Sequence, residues 1–429
     1  MTVDHINKTF VTLILNGLHP YPSLRRYWKL DTFAFKDSTI KDLWGGKNTG
    51  YRQLEILKKF LRFAPAGTET HDDNDLFAKT RPLTDMLHDA CCNTFDVGKE
   101  LSCDEIDINT QASFEGSEKI KYKKEGDGIL NDALCSSVEG ALLAFCFRKD
   151  SVEMLRSRFP EIYSAAPELS PLHLRCLGLL SLSHIKDKWR TCWMDNLFPS
   201  LRFFYYAHTL NKTHMCGLFR GKRGFPVCAW QKTLTGNAAV EAKGTLKKAS
   251  LMNGTFGALA ISYYDSKPVH IMTTRERDSD LVEMERKWYQ RGEVSIRKYK
   301  RLLLVHLYNK YMDGVDVQDQ LRWYYRSDGK KMWRTRKWTW SMFLWVLSTA
   351  VVQAYITHLM LVHKDRVEFD KQHSVWEIRR SQLRVSTVTG ERSRTVEQSR
   401  VEFEAVLGRK RPTPTSHLEF RIELARSLA

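Results

Sequence analysis

Apolar residues recur at helical spacing through the first hundred positions of the chain. Leu54, Leu57, Phe60 and Leu61 fall on one face of a helix over 51–63, and Leu83, Met86, Leu87 and Ala90 repeat the pattern. Gly45 and Gly46, and a polar run over 71–75, break these helices apart. The period changes at Leu101. Residues 101–108, 141–147 and 189–194 read as short strands, 171–184 and 198–210 as helices, and 213–218 as a further strand. Strands and helices in this order predict an α/β layer with a mixed sheet. The stretch 224–300 is less regular: a strand pair over 258–264 and 269–273 precedes a charged segment through Arg301. It reads as an insertion within the α/β domain, after which helices resume at Val315.

One segment carries two readings. Residues 338–363 hold no Lys, Arg, Asp or Glu and are long enough to span a bilayer. Ser341, Thr349, Gln353 and Thr357, however, recur at multiples of four, and basic residues flank both ends. A polar stripe without charge asymmetry predicts a buried helix rather than a membrane span.

Charge sharpens the picture. Lys and Arg number 67 against 50 Asp and Glu, for a net charge of +17 and a pI near 9.4. A polyanionic partner is expected, nucleic acid ahead of an anionic membrane surface. All nine cysteines lie between Cys91 and Cys228, with no CxxC pair and no zinc spacing, so reduced thiols and no zinc module are expected. The start of the chain shows no secretory signal.

Three acidic positions stand where an α/β nuclease core needs them. Asp104 lies in the first strand, Asp195 follows a strand, and Asp316 begins a helix with Asp319 one turn on. Carboxylates from several elements meeting at one sheet edge suit divalent metals; the donors are hard oxygens, so Mg²⁺ fits, with Mn²⁺ as a substitute. The same residues also read as helix caps and turn formers, and spacing alone leaves both readings open. Arg220, Lys222 and Arg223 form a basic loop, and Lys330, Lys331, Arg334, Arg336 and Lys337 interleave with tryptophans; both are candidates for DNA contact.

The chain resembles the piggyBac family of DNA transposases and proteins derived from them. The resemblance begins at Tyr21–Trp28, 54–63 and 79–85. It continues through Leu101-Ser-Cys-Asp-Glu105, Met194-Asp-Asn-Leu-Phe198, 217–226 and 265–274, and ends with 308–320. It implies a ribonuclease-H-like catalytic core with an insertion domain, flanked by a helical dimerisation and DNA-binding domain. The expected layout is 1–99 helical, 100–223 and 301–326 core, 224–300 insertion, 327–365 helical and 366–429 a charged tail. By resemblance Asp104, Asp195 and Asp316 bind metal and Asp319 assists. The activity implied is Mg²⁺-dependent cleavage and strand transfer at transposon ends, through hairpin intermediates, with insertion at TTAA. A homodimer acting on double-stranded DNA in the nucleus is expected.

The chain departs from the family pattern in places. Glu115-Gly116-Ser117 stands where a Gly-Arg pair is usual, Leu130 replaces a lysine, Asp313 replaces a glycine, and no cysteine follows Cys228. An alternative expectation is therefore a domesticated nuclear DNA-binding protein that no longer cuts.

Overall fold

A computed structural model describes residues 2–18, 28, 40–44, 49–65, 67–68, 75–94, 97–110, 112–119, 127–219, 224–242, 244–275, 280–290, 293–326, 337–372 and 415–428. Four helices open the chain: α1 (Val3–Leu18), α2 (Ile40–Leu43), α3 (Thr49–Phe60) and α4 (Arg81–Thr94). Strands β1 (Glu100–Asn109), β2 (Glu118–Lys119), β3 (Asp127–Ser136) and β4 (Leu142–Phe147) follow. Next come α5 (Val152–Arg158), α6 (Pro160–Ala165), α7 (Pro171–Leu180), β5 (Thr191–Met194), α8 (Leu201–Asn211) and β6 (His214–Leu218). Beyond them lie α9 (Asn237–Glu241) and the strands β7 (Leu246–Asn253), β8 (Phe256–Tyr264), β9 (Pro268–Thr273), β10 (Leu281–Gln290) and β11 (Glu293–Leu302). The chain closes with α10 (Leu303–Tyr311), α11 (Gly314–Tyr324), α12 (Trp338–Gln372) and α13 (His417–Leu428).

Nine strands form one mixed sheet in the order β2-β3-β1-β5-β6-β9-β8-β7, with β4 also paired to β3. Only the centre is parallel, where β5 lies between β1 and β6; the other pairs are antiparallel. The mixed α/β expectation holds. The stretch 224–300 does not stand apart from the sheet, because β9 pairs with β6 and carries β8 and β7 onto its edge. Within that stretch, β10 and β11 form a separate two-stranded sheet.

Alternation along the strands gives the sheet two apolar faces. Leu101, Cys103, Cys192, Met194 and Met215 point to one side and pack with Leu155, Leu177, Phe203 and Phe204 of α5, α7 and α8. Ile106, Ile108, Ala133 and Phe145 point to the other, meeting Leu87 and Cys91 of α4, Val315 of α11 and Trp345 of α12. Trp193 and Cys216 extend that second face beneath Leu304 and Tyr308 of α10.

Helix α12 is long and apolar enough to cross a membrane, yet half of its apolar window is buried inside the protein. Gln353 from the polar stripe is buried; its amide donates to Leu142 O at 2.6 Å and its oxygen accepts from Leu142 N at 3.0 Å. The stripe therefore satisfies the backbone at the start of β4, which would otherwise carry unpaired groups. The tail expected over 366–429 is also partly structured. Helix α12 runs on to Gln372, and α13 packs back on α1, with Ala425 in one apolar cluster with Val11, Leu13 and Leu344.

Candidate active site

The register of the central strands decides which carboxylates meet. β1 and β5 run parallel with Cys103 opposite Met194, so Asp104 and Asp195, the next residue on each chain, sit side by side as β5 ends. Neighbouring strands lie about 4.8 Å apart. Across β1 on the other side, Asp104 faces Ala133, whose single methyl leaves the carboxylate uncrowded. Asp195 opens the turn after β5: its Oδ1 accepts from Asn196 Nδ2 at 2.7 Å, and its carbonyl from Phe198 N at 3.2 Å. It is a turn former and a site candidate at once.

Helix α11 brings the third carboxylate. Its first residue, Gly314, is buried so tightly that a methyl there would overlap Ser102 Oγ and Ser136 O. Ser102 shares its strand face with Asp104, so glycine lets the helix start directly over the strand that carries Asp104. Asp316 lies in the first turn of α11, where the helix dipole favours a negative charge. Asp319 is held differently: its Oδ1 accepts from Arg322 Nη2 at 2.6 Å, and the same nitrogen reaches Asp107 O on β1 at 3.3 Å. Arg322 thus ties α11 to β1.

The carboxylates feel one another. Burial pushes the Asp104 carboxyl up to about 7; a hydrogen bond from Glu105 N at 2.7 Å opposes this, while the charges of Asp316, Asp195 and Glu105 add to it. Among the described residues no salt bridge reaches Asp104 or Asp195. The donor chemistry fits a hard divalent cation. Among the described residues, no three His, Cys, Asp or Glu side chains are gathered to hold one ion.

Two groups beside the carboxylates carry no signal in the spacing of acids. Tyr308 on α10 is buried, and its hydroxyl has no hydrogen-bond partner among the described residues. Burial raises its pKa, followed by the fields of Asp195, Cys216 and Asp104, which places it near the same centre. Gln318 on α11 is fully buried, and neither of its amide atoms has a hydrogen-bond partner among the described residues. Tyr308 opens the segment 308–325 in the sequence, but only burial reveals that its hydroxyl lies within the field of Asp195 and Asp104.

Of the basic residues expected to touch DNA, Arg220, Lys222, Arg223, Lys330, Lys331, Arg334 and Arg336 lie outside the described residues. Lys337 is described. Its ammonium donates to Lys59 O at 3.2 Å and Leu61 O at 3.0 Å, at the end of α3.

A nine-stranded mixed sheet with acidic residues at its centre and helices on both faces is consistent with a transposase fold. The structure matches the cryo-EM structure of a piggyBac transposase synaptic complex with hairpin DNA, with a TM-score of 0.64 and 15% sequence identity, covering 100% of this chain and 71% of that one. The chain belongs to the transposase family described as Transposase IS4, whose model matches residues 1–355. No curated protein matches it by sequence. The resemblance to piggyBac transposases read from the sequence holds for family and fold.

Proposed function

We propose that the protein is a metal-dependent DNA transposase of piggyBac type, cleaving and joining strands at transposon ends and inserting at TTAA. What supports this reading is the parallel register that sets Asp104 beside Asp195 at the centre of the sheet, with the charge of Asp316 in the first turn of α11 also acting on Asp104. In this reading the sheet centred on β1 and β5 is a ribonuclease-H-like core, and α1–α4 with α12 belong to a DNA-binding and dimerising part. Asp104, Asp195 and Asp316 hold Mg²⁺ or Mn²⁺. When bound, the cation supplies Lewis acidity and charge neutralisation for attack on a phosphodiester. Gly314 sets the depth of α11, Arg322 fixes Asp319 against β1, and the Tyr308 hydroxyl helps exclude bulk water from the acidic edge. The protein acts as a homodimer on double-stranded DNA in the nucleus.

A second reading keeps the DNA binding and drops the chemistry. Ser117 and Leu130, which stand where the family pattern has an arginine and a lysine, favour it. One assay separates the two. Purified protein is incubated with supercoiled plasmid in Mg²⁺ or Mn²⁺, and nicked and joined products are counted. Cleavage that falls at least ~100-fold in Asp195→Asn supports the transposase; equal activity in that variant sinks it. Salt-sensitive binding that survives Asp316→Ala, with no product at any metal concentration, establishes the second reading.

A further inference from the structure

A groove of about 770 Å³ opens between the end of α3 and the start of α12. Lys58, Lys59, Lys79 and Lys337 line it, with Glu55 as the one acidic lining residue. None of the aspartates of the acidic centre takes part. Lys337 has a structural task, capping the carbonyls of Lys59 and Leu61 as α3 ends. Burial, then the charges of Arg62 and Lys79, hold its pKa below the ordinary lysine value, so several cations share one field here. The first turn of α12 adds a second feature. Thr339 lines the groove, is only 7% exposed, and its hydroxyl has no hydrogen-bond partner among the described residues. Near it is the positive dipole end of a 35-residue helix.

We infer that this groove is a track for the phosphodiester backbone of nucleic acid, gripping sugar–phosphate rather than reading base edges. Phosphate oxygens are what this lining recognises: lysine ammonium groups, a buried hydroxyl and a helix N-terminus, all of which serve phosphate. Among the lining residues there is no arginine fork to read a guanine edge, so the contact positions DNA without specifying its sequence. Lys58, Lys59 and Lys79 face phosphates, while Lys337 holds the two helices in register. The inference rests on the DNA reading above and adds a grip separate from the acidic centre.

The test is binding without chemistry. Affinity for a fluorescein-labelled duplex of random sequence is measured by anisotropy in EDTA, across a salt titration. The chains compared are wild type, the triple variant Lys58→Gln/Lys59→Gln/Lys79→Gln, and a control of equal charge loss, Lys247→Gln/Lys248→Gln/Lys267→Gln. The groove variant should bind at least ~10-fold more weakly at ~0.1 M salt, and its slope of log K against log salt should be shallower by about 2–3. The control should track wild type. An unchanged slope in the groove variant, or an equal loss in the control, overturns the inference while leaving DNA binding intact. Wild type that shows no salt-dependent binding removes the DNA reading itself. Displacement of DNA from wild type but not from the groove variant by a polyglutamate peptide, with stronger peptide than DNA binding, assigns the groove to an acidic protein and overturns the inference. Circular-dichroism melts of all three chains should coincide.

Discussion

The two faces of β1 treat acidic residues in opposite ways. On one, Glu105 and Asp132 stand opposite each other across the β1–β3 pair and meet arginines. Asp132 is fully buried, accepting from Arg148 Nε at 2.8 Å and Arg175 Nε at 2.6 Å, and Arg148 also pairs with Glu105. On the other face Asp104 stands opposite Ala133, beside Asp195 and beneath α11, with its carboxyl pushed up to about 7. Residues one position apart thus serve different ends. Acids answered by guanidinium groups lock β3, β4 and α7 together; acids that mainly face one another leave an electrostatic demand for a cation.

The largest effect should come from the locked face. Asp132→Asn leaves Arg148 and Arg175 buried without their carboxylate and should cost about 3–5 kcal/mol in urea unfolding. Asp104→Asn, one residue from Glu105, should cost little or raise stability. If both variants destabilise alike, the distinction between lock and site fails.

A pH series sharpens the same contrast. The Asp104 carboxyl is raised from 3.8 to about 7, so the folded protein binds its proton more tightly than the unfolded chain does. Its contribution is therefore full below about pH 4 and is lost as pH rises through about 7, by an amount on the order of a few kcal/mol. Buried His88 and His417, both lowered to about 3, act the other way, reducing stability as pH falls below about 6.5. The difference between wild type and Asp104→Asn in EDTA isolates the aspartate: it should change between pH 4 and 7.5, and a flat difference refutes the assignment. Gly314→Ala should lower stability less than Asp132→Asn does, by about 1–3 kcal/mol from overpacking against Ser102 and Ser136. Its cleavage should fall further than its stability, because the added methyl lifts Asp316, and Ser102→Gly in the same chain should recover part of both.

The strands that carry or precede Asp104 and Asp195 were legible: those expected over 101–108 and 189–194 form over Glu100–Asn109 and Thr191–Met194. Leu101, Cys103, Ile106 and Ile108, then Cys192, Trp193 and Met194, and Met215 and Cys216 supply the buried apolar positions of these strands and of β6; Asp104 lies within the first and Asp195 directly after the second. Strand β3 was not legible: Asp127, Gly128, Asn131 and Asp132 read as turn residues, and only the distant Arg148 and Arg175 make Asp132 compatible with a core. The β10–β11 hairpin escaped for another reason. Charged residues stand on both of its faces, so no period of two emerges, and its pairing shows only in the ladder from Leu281–Leu302 to Gln290–Glu293. Helix α13 lay in a stretch read as tail because its partner, α1, is at the other end of the sequence.

That last contact sets a timetable for synthesis. Arg421 of α13 is fully buried, its guanidinium donating to Tyr325 O at 2.8 Å, and Gly17 of α1 packs on the same carbonyl. About 400 residues separate the two helices, so at ribosomal rates of roughly 5–20 residues per second α1 waits tens of seconds for its partner. The sheet, whose strands span Glu100–Thr273, emerges well before that. The contact of α13 with α1 is thus among the last to form during synthesis, after α1 has met Trp28, Ile40, Trp44 and Leu54.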